Sequence, residues 1–137
     1  MDEKTTPPAA NYVDEFMTRE VIVAHPDMEA YDAILLLLKN HISGMPVVDD
    51  KGEVIGIISE RDCMKTLVDA QYHELPTAFV KDLMSTDTQT VTPHTDIMEV
   101  AEVFLNTGYR RLPVIEDDKL VGLIARRDIL EVIKEFH

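Results

Sequence analysis

Basic side chains are scarce in this chain: 13 Lys and Arg stand against 26 Asp and Glu, for a net charge of −13. That balance excludes a face that tracks a nucleic-acid backbone, because such binding rests on many cationic contacts to phosphate. A small anion is not excluded, since charges further apart than about 8 Å are largely screened at physiological salt. A single cysteine, Cys63, rules out an intrachain disulfide and suits a reducing compartment. The longest aliphatic run, Ala33 to Leu38, is far too short to span a bilayer, and Met1-Asp2-Glu3-Lys4 lacks the basic and apolar stretches of a secretory signal. A cytoplasmic protein without a membrane partner is the expectation.

Chemistry-bearing motifs are missing as well. There is no Gly-rich phosphate loop, no nucleophile elbow, and no acid and base with a third group to orient them. His25, His41, His73, His94 and His137 show no metal-ligand spacing with one another or with Cys63. Asp49-Asp50 and Glu116-Asp117-Asp118 fall in turns, where solvated acids are ordinary. No active site, metal or required cofactor is expected.

What the chain does have is one stretch written twice. Gly44-Met45-Pro46-Val47-Val48 through Gly56-Ile57-Ile58-Ser59-Glu60-Arg61-Asp62 returns as Arg111-Leu112-Pro113-Val114-Ile115 through Gly122-Leu123-Ile124-Ala125-Arg126-Arg127-Asp128. The second copy is one residue shorter in the turn, where Gly52 has no counterpart. Each copy reads as a hairpin followed by a charged helix start. One copy alone is too small to hide its apolar face, so the two are expected to pack on each other.

In chain order, residues 1–11 read as a mobile tail, 12–77 as the first repeat and 78–137 as the second. The first repeat comprises a helical turn at Val13–Met17, a brief strand at Val21-Ile22-Val23, and a helix from Met28 to Asn40 capped by Asp27. The hairpin follows, then a helix from Glu60 to Tyr72 with Cys63, Met64, Leu67 and Val68 facing inward. The second has its turn at Val80–Met84, a strand at Thr88–Val91, a helix at Asp96–Asn106, the hairpin, and an amphipathic final helix. The class is α+β, with the order β-α-β-β-α twice.

With Met17-Thr18 and Met84-Ser85, the prolines Pro26 and Pro93, the Pro-Val hairpin starts, the strand glycines and the terminal aspartates in order and repeated, the chain resembles a tandem pair of cystathionine-β-synthase (CBS) domains, a Bateman module. The resemblance spans about residues 12–136. It implies a pseudo-twofold pair of repeats with two clefts that commonly take AMP, ADP, ATP, NAD or S-adenosylmethionine. Cleft one would join Ile57, Ser59, Arg61 and Asp62 to Thr88, Gln89, Thr90, Tyr109, Arg110, Arg111 and Pro113. Cleft two would join Leu123, Ala125, Arg127 and Asp128 to Val21, Ile22, Val23, Ile42, Ser43, Gly44, Met45 and Pro46.

The residues can be weighed on their own chemistry. An ionised Asp62 or Asp128 can accept from both hydroxyls of a ribose, but Ser59-x-x-Asp62 also fits a helix capping box, and the two readings stand about even. Ala125 cannot cap, yet Asp128 persists, which moves the balance toward a ligand. Of six arginines, Arg110, Arg111, Arg126 and Arg127 sit at places that the second hairpin brings together, and a guanidinium suits phosphate. Pairing with nearby acids is the competing account, with Arg110 favoured for the ligand by the resemblance. Tyr109 could stack on adenine. Ala125 and Ser43 depart from the pattern in cleft two, which is expected to bind more weakly or to prefer a less phosphorylated ligand.

Three functions remain open: a sensor whose ligand changes dimer geometry or a partner effector protein, an interaction module without ligand, and, least, a nucleotide-processing enzyme. Surplus apolar residues on the helices at 28–40 and 96–106 predict a homodimer.

Overall fold

The structure, a computed structural model, describes residues 11–72 and 78–136. Of the expected tail at 1–11 only Asn11 is described, its carbonyl accepting from the Ile97 amide at 2.9 Å, and the connection at 73–77 lies outside the described residues. The chain divides into two compact units: Glu20–Thr88 with Asp118–Leu120 form one, and the stretch up to Arg19, Gln89–Asp117 and the chain from Val121 onward form the other.

The first unit holds α1 (Ala30–Asn40), β1 (Gly44–Val48), β2 (Val54–Ser59), α2 (Glu60–Tyr72) and the single turn α3 (Val80–Leu83). Strands β1 and β2 are antiparallel, Gly44 opposite Ser59 and Val47 opposite Gly56, with a register shift at Val47/Val48. Asp49 shapes their turn by accepting from the amides of Lys51 and Glu53 through Oδ1, at 2.9 and 3.0 Å, and Gly52 takes φ 83°. The core gathers Ala24, Ala33, Leu37, Met45, Val47, Ile58, Cys63 and Val80.

The second unit holds a 3-10 turn at Val13–Glu15, α4 (Ile97–Asn106), β3 (Arg111–Glu116), β4 (Lys119–Ala125) and α5 (Arg126–Glu135), although Lys119 and Leu120 group with the first unit. Its hairpin closes on Asp117 and Asp118 alone, at φ 52° and 66°. Two consecutive positive φ values are what a two-residue turn that follows the strand twist requires, which accounts for the residue missing relative to the first copy. Val13, Val91, Ile97, Val100, Phe104, Leu112, Val114, Ile124 and Val132 make this core. Asp96 caps α4, its Oδ1 accepting from the Met98 amide at 2.8 Å.

Neither unit is a contiguous repeat. The turn that opens the first repeat sits on the second hairpin, where Thr18 and Leu123 exchange both backbone hydrogen bonds at 2.9 Å. The turn that opens the second repeat sits on the first hairpin, with Ser85 and Ile57 bonded in the same way. The strand glycines make room for these straps. A Cβ on Gly122 would lie 2.5 Å from the Met17 sulfur, and one on Gly56 would lie 2.8 Å from the Ser85 carbonyl oxygen.

Three expectations need correction. The brief strands at Val21–Val23 and Thr88–Val91 are not formed as strands; each is reduced to one parallel bridge, Ala24 to Val47 and Val91 to Val114. Asp27 does not cap α1. Residue 29 is held extended opposite Phe79, and Ala30 donates to the Ala78 carbonyl, so tertiary pairing delays the helix by two residues, while Asp27 pairs with Lys81 at 3.2 Å. Of the α2 residues expected inward, only Cys63 is buried; Met64, Leu67 and Val68 are 60, 76 and 57% exposed.

Candidate functional site

The end of each hairpin where its helix begins is built alike. In the first unit Asp62 Oδ2 accepts from the Ser59 amide and from the Ser59 hydroxyl, both at 2.9 Å, and the Asp62 amide donates back to Ser59 Oγ at 3.2 Å. This is a closed capping box. Lys65 stands 3.7 Å from the other carboxylate oxygen, and the Asp62 side chain is 16% exposed. In the second unit Asp128 Oδ2 accepts from the Ala125 amide at 2.7 Å, and the hydroxyl half of the box is missing. Both aspartates therefore cap helices. Each commits only one oxygen to its cap, so a carboxylate can cap and still accept a further donor.

The two carboxyls sit in different fields. Asp128 is pushed above the usual carboxylate range, chiefly by burial and further by Glu131; the Ala125 amide and Arg127 oppose the shift. Burial likewise raises the Cys63 thiol, with the Asp62 charge adding to it, which leaves a protonated and unreactive group.

Beside the second helix start lies the loop from Thr107 to Arg110. The Arg126 amide donates to the Arg110 carbonyl at 3.2 Å, and Arg126 Nε donates to the Tyr109 carbonyl at 3.0 Å. Arg110, Arg126 and Arg127 are exposed; Tyr109 and Arg111 are half-buried. The gathering of arginines expected from the sequence is thus present within this unit. Arg126's side-chain bond was not anticipated, and the only hint in the sequence was its place directly after Ala125.

The remaining candidates fall into two kinds. Ile57, Thr88, Thr90, Val21, Val23, Ile42, Ser43 and Leu123 are half-buried, while Arg61, Gln89 and Ile22 are exposed. Gly44, Met45, Pro46 and Pro113 are buried, and the carbonyls of Pro46 and Pro113 accept from Ala24 and Val91 in the parallel bridges. These four contribute shape and backbone, not a side chain. Of the residues named for cleft one, Ile57, Ser59, Arg61, Asp62 and Thr88 belong to the first unit, and Gln89, Thr90, Tyr109, Arg110, Arg111 and Pro113 to the second.

Among the described residues, no group of three or more His, Cys, Asp or Glu is arranged to hold a metal. No helix among them is long and apolar enough to cross a membrane.

Comparison with known proteins matches the CBS domain model twice, over residues 13–69 and 80–135. An uncharacterized protein of Methanocaldococcus jannaschii is 30% identical over 122 residues, 88% of this chain; the chain spans 42% of that protein's length. The chloroplastic CBS domain-containing protein CBSX1 of Arabidopsis thaliana is 28% identical over 159 residues, 95% of this chain and 67% of its own. The solved structure of CBSX2, a CBS-pair protein from the same plant, superposes with a TM-score of 0.80 at 28% identity, covering 93% of this chain and 96% of that one. A second CBSX2 structure, in complex with AMP, gives the same TM-score and identity over 90 and 96%. With both halves matched and the fold shared, the chain belongs to the CBS domain family, as a tandem pair of CBS domains.

Proposed function

We propose that this CBS pair is a regulatory module that binds an adenosine-containing ligand, with AMP as the first candidate, and performs no chemistry on it. The observation that carries the reading is the joining of the Tyr109-Arg110-Arg111 segment to Arg126 at one end of the second hairpin, through the Arg126 bonds to the Tyr109 and Arg110 carbonyls: one aromatic residue and three arginines in a loop and the helix start it meets, on a chain otherwise short of positive charge. An aromatic ring suits a base, and guanidinium forks suit phosphate. The AMP complex of the similar CBSX2 supports the choice of ligand class. Asp62 is the proposed ribose acceptor, using the oxygen that its cap leaves over. The second set, around Asp128, carries Ala125 and Ser43 and takes a less phosphorylated ligand or none.

The signal passes through a homodimer or an effector protein in the cytoplasm. Support for a partner copy is the apolar surface that single units leave open: Tyr31, Leu38, Met64 and Leu67 in the first, Met98, Leu105, Leu130 and Ile133 in the second, all at least 59% exposed. An open groove of about 560 Å³ runs between α1 and α2, lined by Leu37, Leu38, Cys63 and Leu67 among others. The same surface favours a second reading, an interaction module without a ligand.

A thermal-shift panel of AMP, ADP, ATP, NAD and S-adenosylmethionine, with GTP as control, separates the two. A ligand at about 100 times its Kd stabilises by roughly 2.7 kcal/mol, several degrees in a chain of this size. A shift with an adenosine compound that Asp62→Ala diminishes supports the sensor; no shift with any compound leaves the interaction module.

A further inference from the structure

We propose that Arg126 is a positioning residue, which fixes the Tyr109–Arg110 segment for an anionic ligand, and that Glu60 at the matching place in the first repeat cannot supply the same side-chain bond to the Ile42 carbonyl. The inference rests on the ligand-binding reading above and deepens it.

One residue holds two consecutive carbonyls: Arg126 Nε donates to Tyr109 at 3.0 Å and the Arg126 amide to Arg110 at 3.2 Å. The loop is also held from its other side. The Thr107 hydroxyl donates to the Val103 carbonyl at 2.8 Å, at the end of α4, and the Tyr109 amide donates to Thr107 Oγ1 at 3.2 Å. Four bonds over four residues set the loop's path before any ligand arrives, which lowers the ordering cost of binding.

The first repeat keeps the backbone half of this arrangement and loses the side-chain half. The Glu60 amide donates to the Ser43 carbonyl at 2.9 Å, as the Arg126 amide does to Arg110. A carboxylate only accepts, so Glu60 cannot hold the Ile42 carbonyl as Arg126 holds that of Tyr109. Its charge also has the wrong sign for a phosphate. The Arg126/Glu60 difference therefore makes the two candidate sites unequal, with a cationic side chain on the Tyr109 carbonyl in the second repeat and an anionic residue at the matching place in the first.

The test uses the full chain with Arg126→Ala and Arg126→Lys. Calorimetric titration with AMP is expected to show affinity reduced about tenfold in both, since lysine restores the charge but not the planar Nε–H donor. Hydrogen exchange without ligand is expected to be faster at residues 109–111 in both variants, with unchanged melting temperatures. Full AMP affinity in Arg126→Lys would mean that charge alone matters and would overturn positioning. Unchanged exchange in both variants would overturn the pin whatever the ligand does. A wild-type chain that bound no adenosine compound would overturn the functional reading and the ligand role of Arg126 with it, while the exchange measurement would still decide whether the loop is held.

Discussion

Ser59 and Asp62 cap each other: the carboxylate takes both the amide and the hydroxyl of Ser59 at 2.9 Å, and the Asp62 amide returns a bond to the hydroxyl. The corresponding pair, Ala125 and Asp128, has only the carboxylate-to-amide bond. Removing the hydroxyl in Ser59→Ala should cost about 1 kcal/mol, and adding one in Ala125→Ser should gain a similar amount or somewhat less. Urea denaturation of the two variants checks both signs; a stabilised Ser59→Ala would refute the cap.

Asp128 and Asp49 should titrate with opposite effects on stability. Asp128 is raised in the folded chain, so its contribution is fully present below the ordinary value of 3.8 and is lost as pH rises through the folded value. Asp49 is lowered, first by the Glu53 amide, so its contribution is present above 3.8 and is lost as pH falls through its folded value. Compared with wild type, Asp128→Asn should gain stability as pH rises from acid toward neutral, and Asp49→Asn should lose it. Thermal melts between about pH 3 and 6 provide the comparison.

Alanine at the strand glycines should loosen the straps. Gly56→Ala meets backbone, the Ser85 carbonyl at 2.8 Å, as well as the Met84 sulfur at 2.9 Å. Gly122→Ala meets the Met17 sulfur at 2.5 Å and the Thr18 carbonyl at 3.0 Å, so more of its clash falls on a flexible side chain. Both should destabilise by about 1–3 kcal/mol, Gly56→Ala more than Gly122→Ala, and Met17→Ala should partly rescue only the latter. Denaturant midpoints rank the three.

Light scattering at micromolar concentration should give a dimer mass if the proposed self-association holds. Glutamate at Leu67 and Leu105, 76 and 84% exposed in the single chain, should shift the mass to that of a monomer without lowering the stability of the units themselves. A monomer mass for wild type would refute the dimer.

Cys63, buried and with its thiol raised, should react with a thiol reagent far more slowly in the folded chain than in denaturant. Equal rates would contradict its burial.

Most of the architecture could be read from the sequence because it is local. The missing Gly52 counterpart announced the tighter turn, and the helix expected at Asp96–Asn106 formed within one residue of its expected start. The misreadings came from non-local partners. Asp27 looked like a cap until residue 29 was drawn into a bridge with Phe79. The stripe Met64, Leu67, Val68 has the periodicity of a core face, but periodicity shows that a face is apolar and not what covers it. The strap exchange was invisible for a related reason. Met17-Thr18 and Met84-Ser85 are near copies at near-equal distances from their own hairpins, and two similar segments carry no mark of which hairpin each serves. In the candidate site, the aspartates and arginines could be singled out by residue type, whereas Arg126's hold on Tyr109 depends on a hairpin end that only the folded chain brings together.

The exchange of straps also bears on where this chain could be divided. A cut in the connection between the repeats would leave the first fragment with a Met17 that has lost its Gly122 and a Gly56 that has lost its Met84. The second fragment would carry the reciprocal defects. Neither fragment would be a finished domain, and each would hold the piece that the other lacks. The sequence repeat is thus not the packing unit: each hairpin is completed by the strap of the other repeat, and a boundary drawn between the repeats would cut through both cores' coverings.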